Sequence, residues 1–185
     1  MQAVFLDRDG VINENRADHV KHWSEFRFLP GAVEAIARFS RTGVSVFVVT
    51  NQAVVNRGLV SRQTVDDINR RMVREIAARG GHVEAVAYCP HRPEECCYCR
   101  KPRPGLLLRL AGRHGLQLTE SVVIGDALSD LQAGVAVGCR PVLVLTGRGR
   151  EHLAQARAAH LDGLIVASDL AAAVDLLLSQ PAGVA

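Results

Sequence analysis

The sequence predicts an α/β fold with a doubly wound parallel sheet, and three observations support this. Short apolar runs rich in β-branched residues alternate along the chain with segments of helical spacing. The run Val44–Val49 is apolar apart from Ser45, as expected of a strand that is buried on both faces. No internal repeat or low-complexity tract interrupts the alternation. We therefore expect right-handed crossovers and helices on both faces of the sheet.

The elements follow from local signals in chain order. The predicted strands are Gln2–Leu6, Val44–Val49, Val83–Tyr88, Val122–Gly125, Pro141–Leu145 and Leu164–Val166. Helical spacing predicts the helices Gly31–Thr42, Ser61 to about Arg79, Pro104–His114, Ser129–Val137 and Leu170–Leu178. Ser61 is a candidate N-cap, and glycines at 43, 80 and 115 are stop signals.

Length and composition limit the organisation of the chain. With 185 residues, 48% hydrophobic and 22% charged, the chain fits one domain with a real core and is not disordered. We expect residues 1–180 to form that domain and residues 181–185 to be a loose tail. No apolar run is long enough for a membrane span, and the first residues lack a basic n-region. We therefore expect a cytoplasmic protein without a membrane partner.

Charge and residue usage narrow the class of partner. A net charge of +3 suits an anionic small molecule and is too weak to indicate nucleic acid. Aromatic residues make up only 4% of the chain, so platforms for stacking bases are not expected. Of the five cysteines, all but Cys139 lie between positions 89 and 99. An odd, clustered set favours metal binding over a disulfide framework.

Polar side chains follow the carboxyl ends of the predicted strands, where ligands bind in open α/β sheets. The segments concerned are Asp7-Arg8-Asp9-Gly10, Thr50-Asn51-Gln52, Arg100-Lys101-Pro102, and Gly125-Asp126 with Asp130 one turn on. Singly, an aspartate after a strand is usually a cap or turn residue and a lysine is usually a surface charge. The recurrence of such residues at the ends of four strands favours a single site.

The chemistry of these residue types fits phosphoryl transfer. Clustered carboxylates suit Mg²⁺, which also binds phosphate oxygens. One aspartate can be the nucleophile of an aspartyl-phosphate intermediate, and a second can protonate the leaving oxygen and then activate water. A hydroxyl and a lysine can balance the charge of the transferring group.

In order, the four segments resemble the motifs of the haloacid dehalogenase (HAD) superfamily of phosphatases. The resemblance runs from Phe5 to about Gly149 and implies a Rossmann-like core. Neither gap between motifs holds more than a helix or a loop, so the chain resembles a capless member of subfamily IIIA. The resemblance implies that Asp7 is the nucleophile and a Mg²⁺ ligand. It implies that Asp9 is the general acid/base, with its backbone carbonyl on Mg²⁺.

The same resemblance assigns the remaining roles. Asp126 would be the third Mg²⁺ ligand, and Asp130 an orienting group behind the ligands. Thr50 and Lys101 would stabilise the phosphoryl group. The implied substrate contacts are Asn15, Asn51, Gln52, Arg57 and Arg100. A guanidinium such as that of Arg100 can hold a second phosphate in two-pronged fashion.

A cysteine-rich loop gives the sharpest signal. The spacing of Cys89, His91, Cys97 and Cys99 offers three thiolates and one imidazole, a closed tetrahedral set typical of structural Zn²⁺. Cys96 could replace Cys97, but the Cys-x-Cys pair just before Arg-Lys-Pro resembles the zinc loop of two phosphatase groups. These groups are the D-glycero-D-manno-heptose 1,7-bisphosphate 7-phosphatases and the histidinol-phosphatases. The metal would fold a loop with little apolar content and position Arg100 and Lys101.

The substrate prediction rests on details of this resemblance. Asn13 and the segment Leu145–Gly149 resemble the heptose group, which implies removal of the 7-phosphate in nucleotide-activated heptose synthesis for lipopolysaccharide or another glycan. Ala127 departs from members that have lysine there, and the preferred anomer stays open. Histidinol phosphate or another small phosphomonoester is the alternative substrate, and a non-catalytic zinc-loop binding module is a remote alternative. We expect a monomer.

Overall fold

The computed structural model describes residues 1–179, so the predicted tail, residues 181–185, lies outside the described residues. The six predicted strands form one sheet in which every pairing is parallel. Their bounds are β1 Ala3–Leu6, β2 Ser45–Asn51, β3 Ala85–Cys89, β4 Val122–Gly125, β5 Arg140–Val144 and β6 Ile165–Ala167. The order across the sheet is β3-β2-β1-β4-β5-β6. This confirms the predicted doubly wound parallel sheet.

Helices connect the strands. Their bounds are α1 Ala32–Arg41, α2 Arg62–Ala78, α3 Gly105–His114, α4 Leu128–Val135, α5 Gly149–Ala158 and α6 Leu170–Leu178. The predicted cap of α2 is confirmed, because the Ser61 hydroxyl accepts a hydrogen bond from the Thr64 N–H at 3.0 Å.

Helix α5 is absent from the sequence-based prediction. Of its residues only Gly149 and Ala156 are buried, so its apolar stripe is too thin to produce a clear helical period. Ala156 packs with Leu131 and Leu143 in a small cluster on one face of the sheet. The helix is therefore held by tertiary contact that its own pattern does not announce.

Alternate residues of each strand point into different cores. In β1, Val4 and Leu6 join the large core beneath α1, α2 and α6, whereas Ala3 and Phe5 face the core beneath α3 and α4. The two neighbours of β1 in the sheet are β2 and β4, which continue the chain on opposite sides of it. The carboxyl ends of β1 and β4 therefore meet at the point where the strand order reverses.

The connecting segments contain little regular secondary structure, although some of them are long in sequence. Between β1 and α1, and again between β3 and α3, the only helical element is one short 3-10 turn, Trp23–Glu25 and Pro93–Glu95 respectively. Between β2 and β3 the chain carries α2 alone. This agrees with the predicted capless architecture. None of the helices within residues 1–179 has the length and apolar character that crossing a membrane requires.

Candidate active site

A buried carboxylate cluster lies at the switch point of the sheet. Asp7 follows β1, Asp126 follows β4, and Asp130 is in the first turn of α4. One carboxylate oxygen from each lies within 4.8 Å of the others, and all three residues are buried. Burial raises the pKa of Asp7 to about 7; Lys101 opposes the shift, while Asp130, Asp126 and Asp9 add to it. The pKa of Asp126 is also raised, by burial and by Asp130.

Lys101 provides the positive charge inside this cluster. Its Nζ donates to Asp7 Oδ1 at 2.8 Å and to the Val49 carbonyl at 2.7 Å, and lies 2.6 Å from Asp130 Oδ1. Burial alone would lower the pKa of Lys101, but the charges of Asp130 and Asp7 outweigh it and raise the pKa above its usual value. The lysine is therefore charged and held against the predicted nucleophile.

The carboxylate cluster fits a hard divalent cation. Asp126 Oδ1 is buried and has no hydrogen-bond donor among the described residues, although Arg148 Nη2 lies 3.7 Å from it. Both oxygens of Asp130 are engaged, Oδ1 with Lys101 and Oδ2 with the Ala127 N–H at 3.0 Å. A buried carboxylate oxygen that lacks a hydrogen-bond partner and lies beside other carboxylates is a suitable ligand for Mg²⁺. Asp7 and Asp126 are thus better placed as ligands than Asp130, which suits its predicted orienting role.

Two glycines allow the chain to close around Asp126. Gly10 has φ +91°, and a Cβ there would lie 2.1 Å from Asp126 Oδ2. Gly147 has φ +54°, and a Cβ there would lie 2.2 Å from the same oxygen. Both positions therefore need glycine, for backbone conformation and for space. The two segments are tied by the Thr146 hydroxyl, which donates to the Gly10 carbonyl at 2.6 Å.

Asp9, the predicted general acid/base, lies beside the cluster with a different environment. Its Oδ1 accepts from Asn13 Nδ2 at 2.9 Å, its Oδ2 accepts from Gln52 Nε2 at 2.6 Å, and Arg8 Nη2 donates to both oxygens at 3.1 and 3.0 Å. Burial would raise the pKa of Asp9, but the charge of Arg8 and these hydrogen bonds together lower it. Two aspartates separated by one residue are therefore held in opposite electrostatic settings.

The Thr50-Asn51-Gln52 segment ends β2 and supports the site in three ways. The Thr50 hydroxyl reaches the cleft and accepts from Gln52 Nε2 at 3.0 Å. Asn51 exchanges hydrogen bonds with the Lys101 backbone, each 3.2 Å long. Gln52 is buried, binds Asp9 and does not line the cleft. Its predicted contact with substrate stays a prediction, and its observed contacts orient Asp9.

A cleft of about 440 Å³ opens above these residues. The predicted residues that line it are Asp7, Asp9, Asn15, Thr50, Asn51, Arg57, Arg100, Lys101 and Asp130. The cleft also contains residues that sequence reasoning missed, namely Arg16, Ala17, His19, Ala53, Ser129 and Arg148. The Arg148 backbone N–H donates to Asp126 Oδ2 at 2.8 Å. Cations around a carboxylate floor suit an anionic substrate.

A signal for some of the missed residues was present. Arg16 and His19 belong to the polar loop from Asn13 to Lys21, and Arg148 belongs to the segment Leu145–Gly149. The second segment carries the resemblance and the first matches it only in part, but neither has a regular period that shows which side chain faces inward. Arg57 Nη1 lies 3.2 Å from His19 Nε2, so the loop and the end of β2 share one wall of the cleft.

A second cluster is built by the cysteine-rich loop. The Cys89, Cys97 and Cys99 sulfurs lie 3.4 to 3.5 Å apart, and His91 Nδ1 lies 3.5 Å from Cys89 Sγ and 3.3 Å from Cys99 Sγ. These separations are much longer than a disulfide bond and close to the edge of roughly 3.5–3.8 Å of a tetrahedron with Zn–S and Zn–N bonds. The arrangement fits a closed zinc site.

Within this loop the structure distinguishes neighbouring cysteines. Cys97 lies in the thiolate cluster, whereas Cys96 is exposed and takes no part in it. Burial raises the pKa of Cys89 to about 12, so a bound cation would be needed to hold its thiolate. Arg100 Nη1 donates to the His91 carbonyl at 3.0 Å. The loop therefore holds Arg100 at the cleft, whereas the positioning of Arg100 by a bound metal stays a prediction.

Comparisons with known proteins agree with this geometry. A HAD-hydrolase-like family model matches residues 98–173. A Bordetella bronchiseptica relative named D-glycero-beta-D-manno-heptose-1,7-bisphosphate 7-phosphatase is 42% identical over 180 residues, which are 97% of this chain and 99% of the relative. A Mycobacterium tuberculosis relative, named for the alpha form of the same substrate, is 40% identical over 77% of this chain and 78% of its own.

A solved structure extends the likeness to the whole fold. The crystal structure of D,D-heptose 1,7-bisphosphate phosphatase from B. bronchiseptica, complexed with magnesium and phosphate, has a TM-score of 0.92 at 42% identity. The match covers 98% of this chain and 100% of that one. The chain therefore belongs to the heptose-bisphosphate phosphatase family of HAD-like hydrolases.

Proposed function

We propose that this protein is a Mg²⁺-dependent phosphatase that removes the 7-phosphate of D-glycero-D-manno-heptose 1,7-bisphosphate. The observation that carries the proposal is full-length similarity to a heptose bisphosphate 7-phosphatase, together with Asp7 and Lys101 in contact at the floor of a cationic cleft. The magnesium and phosphate in the B. bronchiseptica structure support a divalent cation and a phosphoryl group as its ligands.

The chemistry follows from the placement of the side chains. Asp7 attacks phosphorus and forms an aspartyl-phosphate, while the bond from phosphorus to the sugar oxygen breaks. In its protonated form, which the lowered pKa of Asp9 makes the minor one, Asp9 gives a proton to that oxygen. It then takes a proton from the water that hydrolyses the aspartyl-phosphate. Lys101 and Thr50 offset the charge that develops on the phosphoryl oxygens. Asp7, the Asp9 carbonyl and Asp126 would hold Mg²⁺, which would supply the positive charge that keeps Asp7 ionised.

Zn²⁺ on Cys89, His91, Cys97 and Cys99 is the second part of the proposal. The near-tetrahedral spacing of these side chains supports it, and the closed set leaves no position for substrate. The role assigned to this zinc is structural: it folds the loop whose His91 carbonyl holds Arg100.

Three broader statements complete the proposal. Residues 1–180 form one domain, supported by the single sheet within residues 1–179. The protein acts on a small phosphorylated sugar. It does so as a monomer, and size-exclusion chromatography with light scattering tests this oligomeric state. It works in the cytoplasm, where reducing conditions keep clustered thiols available for metal.

A phosphate-release panel tests the substrate. It compares the α and β anomers of heptose 1,7-bisphosphate with histidinol phosphate at saturating Mg²⁺. We expect at least one heptose anomer to exceed histidinol phosphate by tenfold or more in kcat/KM, about 1.4 kcal/mol in transition-state binding. A preference of that size for histidinol phosphate would overturn the proposed substrate while leaving the phosphatase chemistry in place.

A further inference from the structure

A buried polar pair links helix α2 to the predicted general acid. Arg8 is 1% exposed and Asn69, on α2, is 6% exposed. Arg8 Nη1 donates to Asn69 Oδ1 at 3.0 Å, and Arg8 Nη2 donates to both oxygens of Asp9. The pair therefore runs from the helix to a carboxylate that lines the cleft.

Asn69 is out of place in the pattern of its helix. The other buried residues of α2 are the apolar Val65, Ile68, Met72 and Ile76, and Asn69 lies within their stripe. A buried amide in such a stripe is costly unless it is hydrogen-bonded. Its bond to Arg8 therefore accounts for its presence.

Arg8 is fixed by its surroundings as well as by Asn69. Its guanidinium lies 6.0 Å from the centre of the Phe26 ring, which stacks on Trp23 at 4.9 Å. Its carbonyl accepts from the Ile12 and Asn13 backbone N–H groups at 2.9 and 3.1 Å. A guanidinium held by Asn69 on one nitrogen and by an aromatic ring presents its other nitrogen to Asp9 in one orientation.

We propose that Asn69 is a positioning residue for Asp9, acting through Arg8. Asn69 does not line the cleft and touches no reacting group; it holds the guanidinium that bonds both oxygens of Asp9 and so fixes the orientation of that carboxyl at the cleft. This inference rests on the proposed phosphatase function with Asp9 as general acid. Substitution of Asn69 should therefore affect catalysis although Arg8 lies between Asn69 and the cleft.

The test compares leaving groups, because a positioning role and a merely structural role differ there. A sugar alkoxide needs a proton as it leaves, whereas p-nitrophenolate leaves without one. Single-turnover release of the leaving group, with enzyme in excess, isolates the first step from hydrolysis of the aspartyl-phosphate. The alkyl substrate is the phosphate ester that the wild-type protein hydrolyses fastest, so that a wrong choice of sugar does not affect the test.

We expect Asn69→Ala to slow release of the alkyl leaving group about tenfold, a fraction of what general acid catalysis contributes. Release of p-nitrophenolate should stay within about twofold of wild type, since it needs no proton. Asn69→Asp keeps the acceptor for Arg8 and should restore most of the ratio between the two substrates. Val73→Ala, on the groove that Asn69 also lines, is the matched truncation and should leave the ratio unchanged. Thermal midpoints confirm that each variant is folded at the assay temperature.

Two results would overturn the inference. Equal slowing of both substrates by Asn69→Ala would make Asn69 a structural anchor only. No change in either rate would mean that Arg8 orients Asp9 without it. Failure of the wild-type protein to release either leaving group is a separate result, which overturns the proposed function and with it this inference.

Discussion

The carboxylate cluster and the thiolate cluster are assembled from opposite kinds of sequence. The carboxylate cluster takes its members from positions 7, 126 and 130, which only the folded sheet brings together. The thiolate cluster takes its members from positions 89 to 99, so that one short stretch of the chain supplies all of them. The first uses hard oxygens and opens to the cleft, and the second uses sulfur and nitrogen and is closed. The difference indicates where each proposed metal would act: one on the substrate, the other on the fold of a loop.

The largest expected effect breaks the carboxylate cluster at its nucleophile. Asp7→Asn should lower kcat by several orders of magnitude, because an amide cannot form the aspartyl-phosphate. The check is phosphate release beside the thermal midpoint, which should be kept or raised. Asp162→Asn, at an exposed aspartate, is the control. Near wild-type turnover in Asp7→Asn would contradict the mechanism.

The next effect removes the cation of the same cluster. Lys101→Met should lower kcat about 10²- to 10³-fold, since it removes charge stabilisation of the phosphoryl group and leaves Asp7 and Asp130 without their shared partner. Steady-state kinetics measure this loss. The control is Arg113→Met, at an exposed arginine. A change confined to KM would show that Lys101 binds substrate without acting in the transition state.

Two adjacent cysteines sharpen the account of the thiolate cluster. Cys97→Ser should lose bound zinc and lower activity roughly 10- to 100-fold through the misplaced loop. Cys96→Ser should keep both, because Cys96 is exposed outside the cluster. Zinc content by elemental mass spectrometry, measured beside phosphate release, distinguishes the two variants. Equal zinc in both would remove Cys97 from the ligand set.

A smaller effect is expected at the cleft wall. Arg57→Ala should raise KM for the bisphosphate about tenfold with little change in kcat. The reason is that the variant loses a charge-assisted hydrogen bond that is made equally in the ground state and in the transition state. Arg41→Ala, on the last turn of α1, is the control. A fall in kcat at unchanged KM would instead place Arg57 near the reacting phosphoryl group.

The smallest effect concerns stability without metal. Between pH 4 and 7 the folded metal-free protein binds at Asp7 a proton that the unfolded chain, with a pKa of 3.8, has released. The free energy of unfolding should therefore fall as pH rises through this window. Each pKa unit is worth about 1.4 kcal/mol, so the loss is on the order of a few kcal/mol. Denaturant titrations at pH 5 and pH 8 measure it.

Two changes, an added ion and a substitution, should reduce this pH dependence. Mg²⁺ should stabilise the protein more at pH 8 than at pH 5, because it binds the ionised carboxylate. Asp7→Asn should flatten the profile in the absence of metal. An unfolding free energy that rises with pH in the metal-free protein would contradict the direction of the Asp7 shift.

Much of this fold follows from patterns that the sequence states locally. The six strands are built on short apolar runs, and the proposed Mg²⁺ ligands Asp7 and Asp126 directly follow the ends of β1 and β4. The positions of these two carboxylates could therefore be predicted from the sequence. Helix α5 escaped prediction because its burial depends on Leu131 and Leu143, which come from other elements. The contact of Arg8 with Asn69 spans 61 residues and carries no local signal. The contact of Gln52 with Asp9 also joins distant parts of the chain and has no local signal. The rotamer of a side chain at a strand end is set by such tertiary neighbours.

Trapping the intermediate on Asp7 tests the aspartyl-phosphate mechanism most directly. Wild-type protein is mixed with substrate and Mg²⁺, quenched in acid during turnover, reduced with borohydride and digested. We expect mass spectrometry to find the reduced product, homoserine, at position 7 alone, and to find none in Asp7→Asn. Turnover that leaves Asp7 unmodified at every quench time, or modification at another residue, would contradict the account.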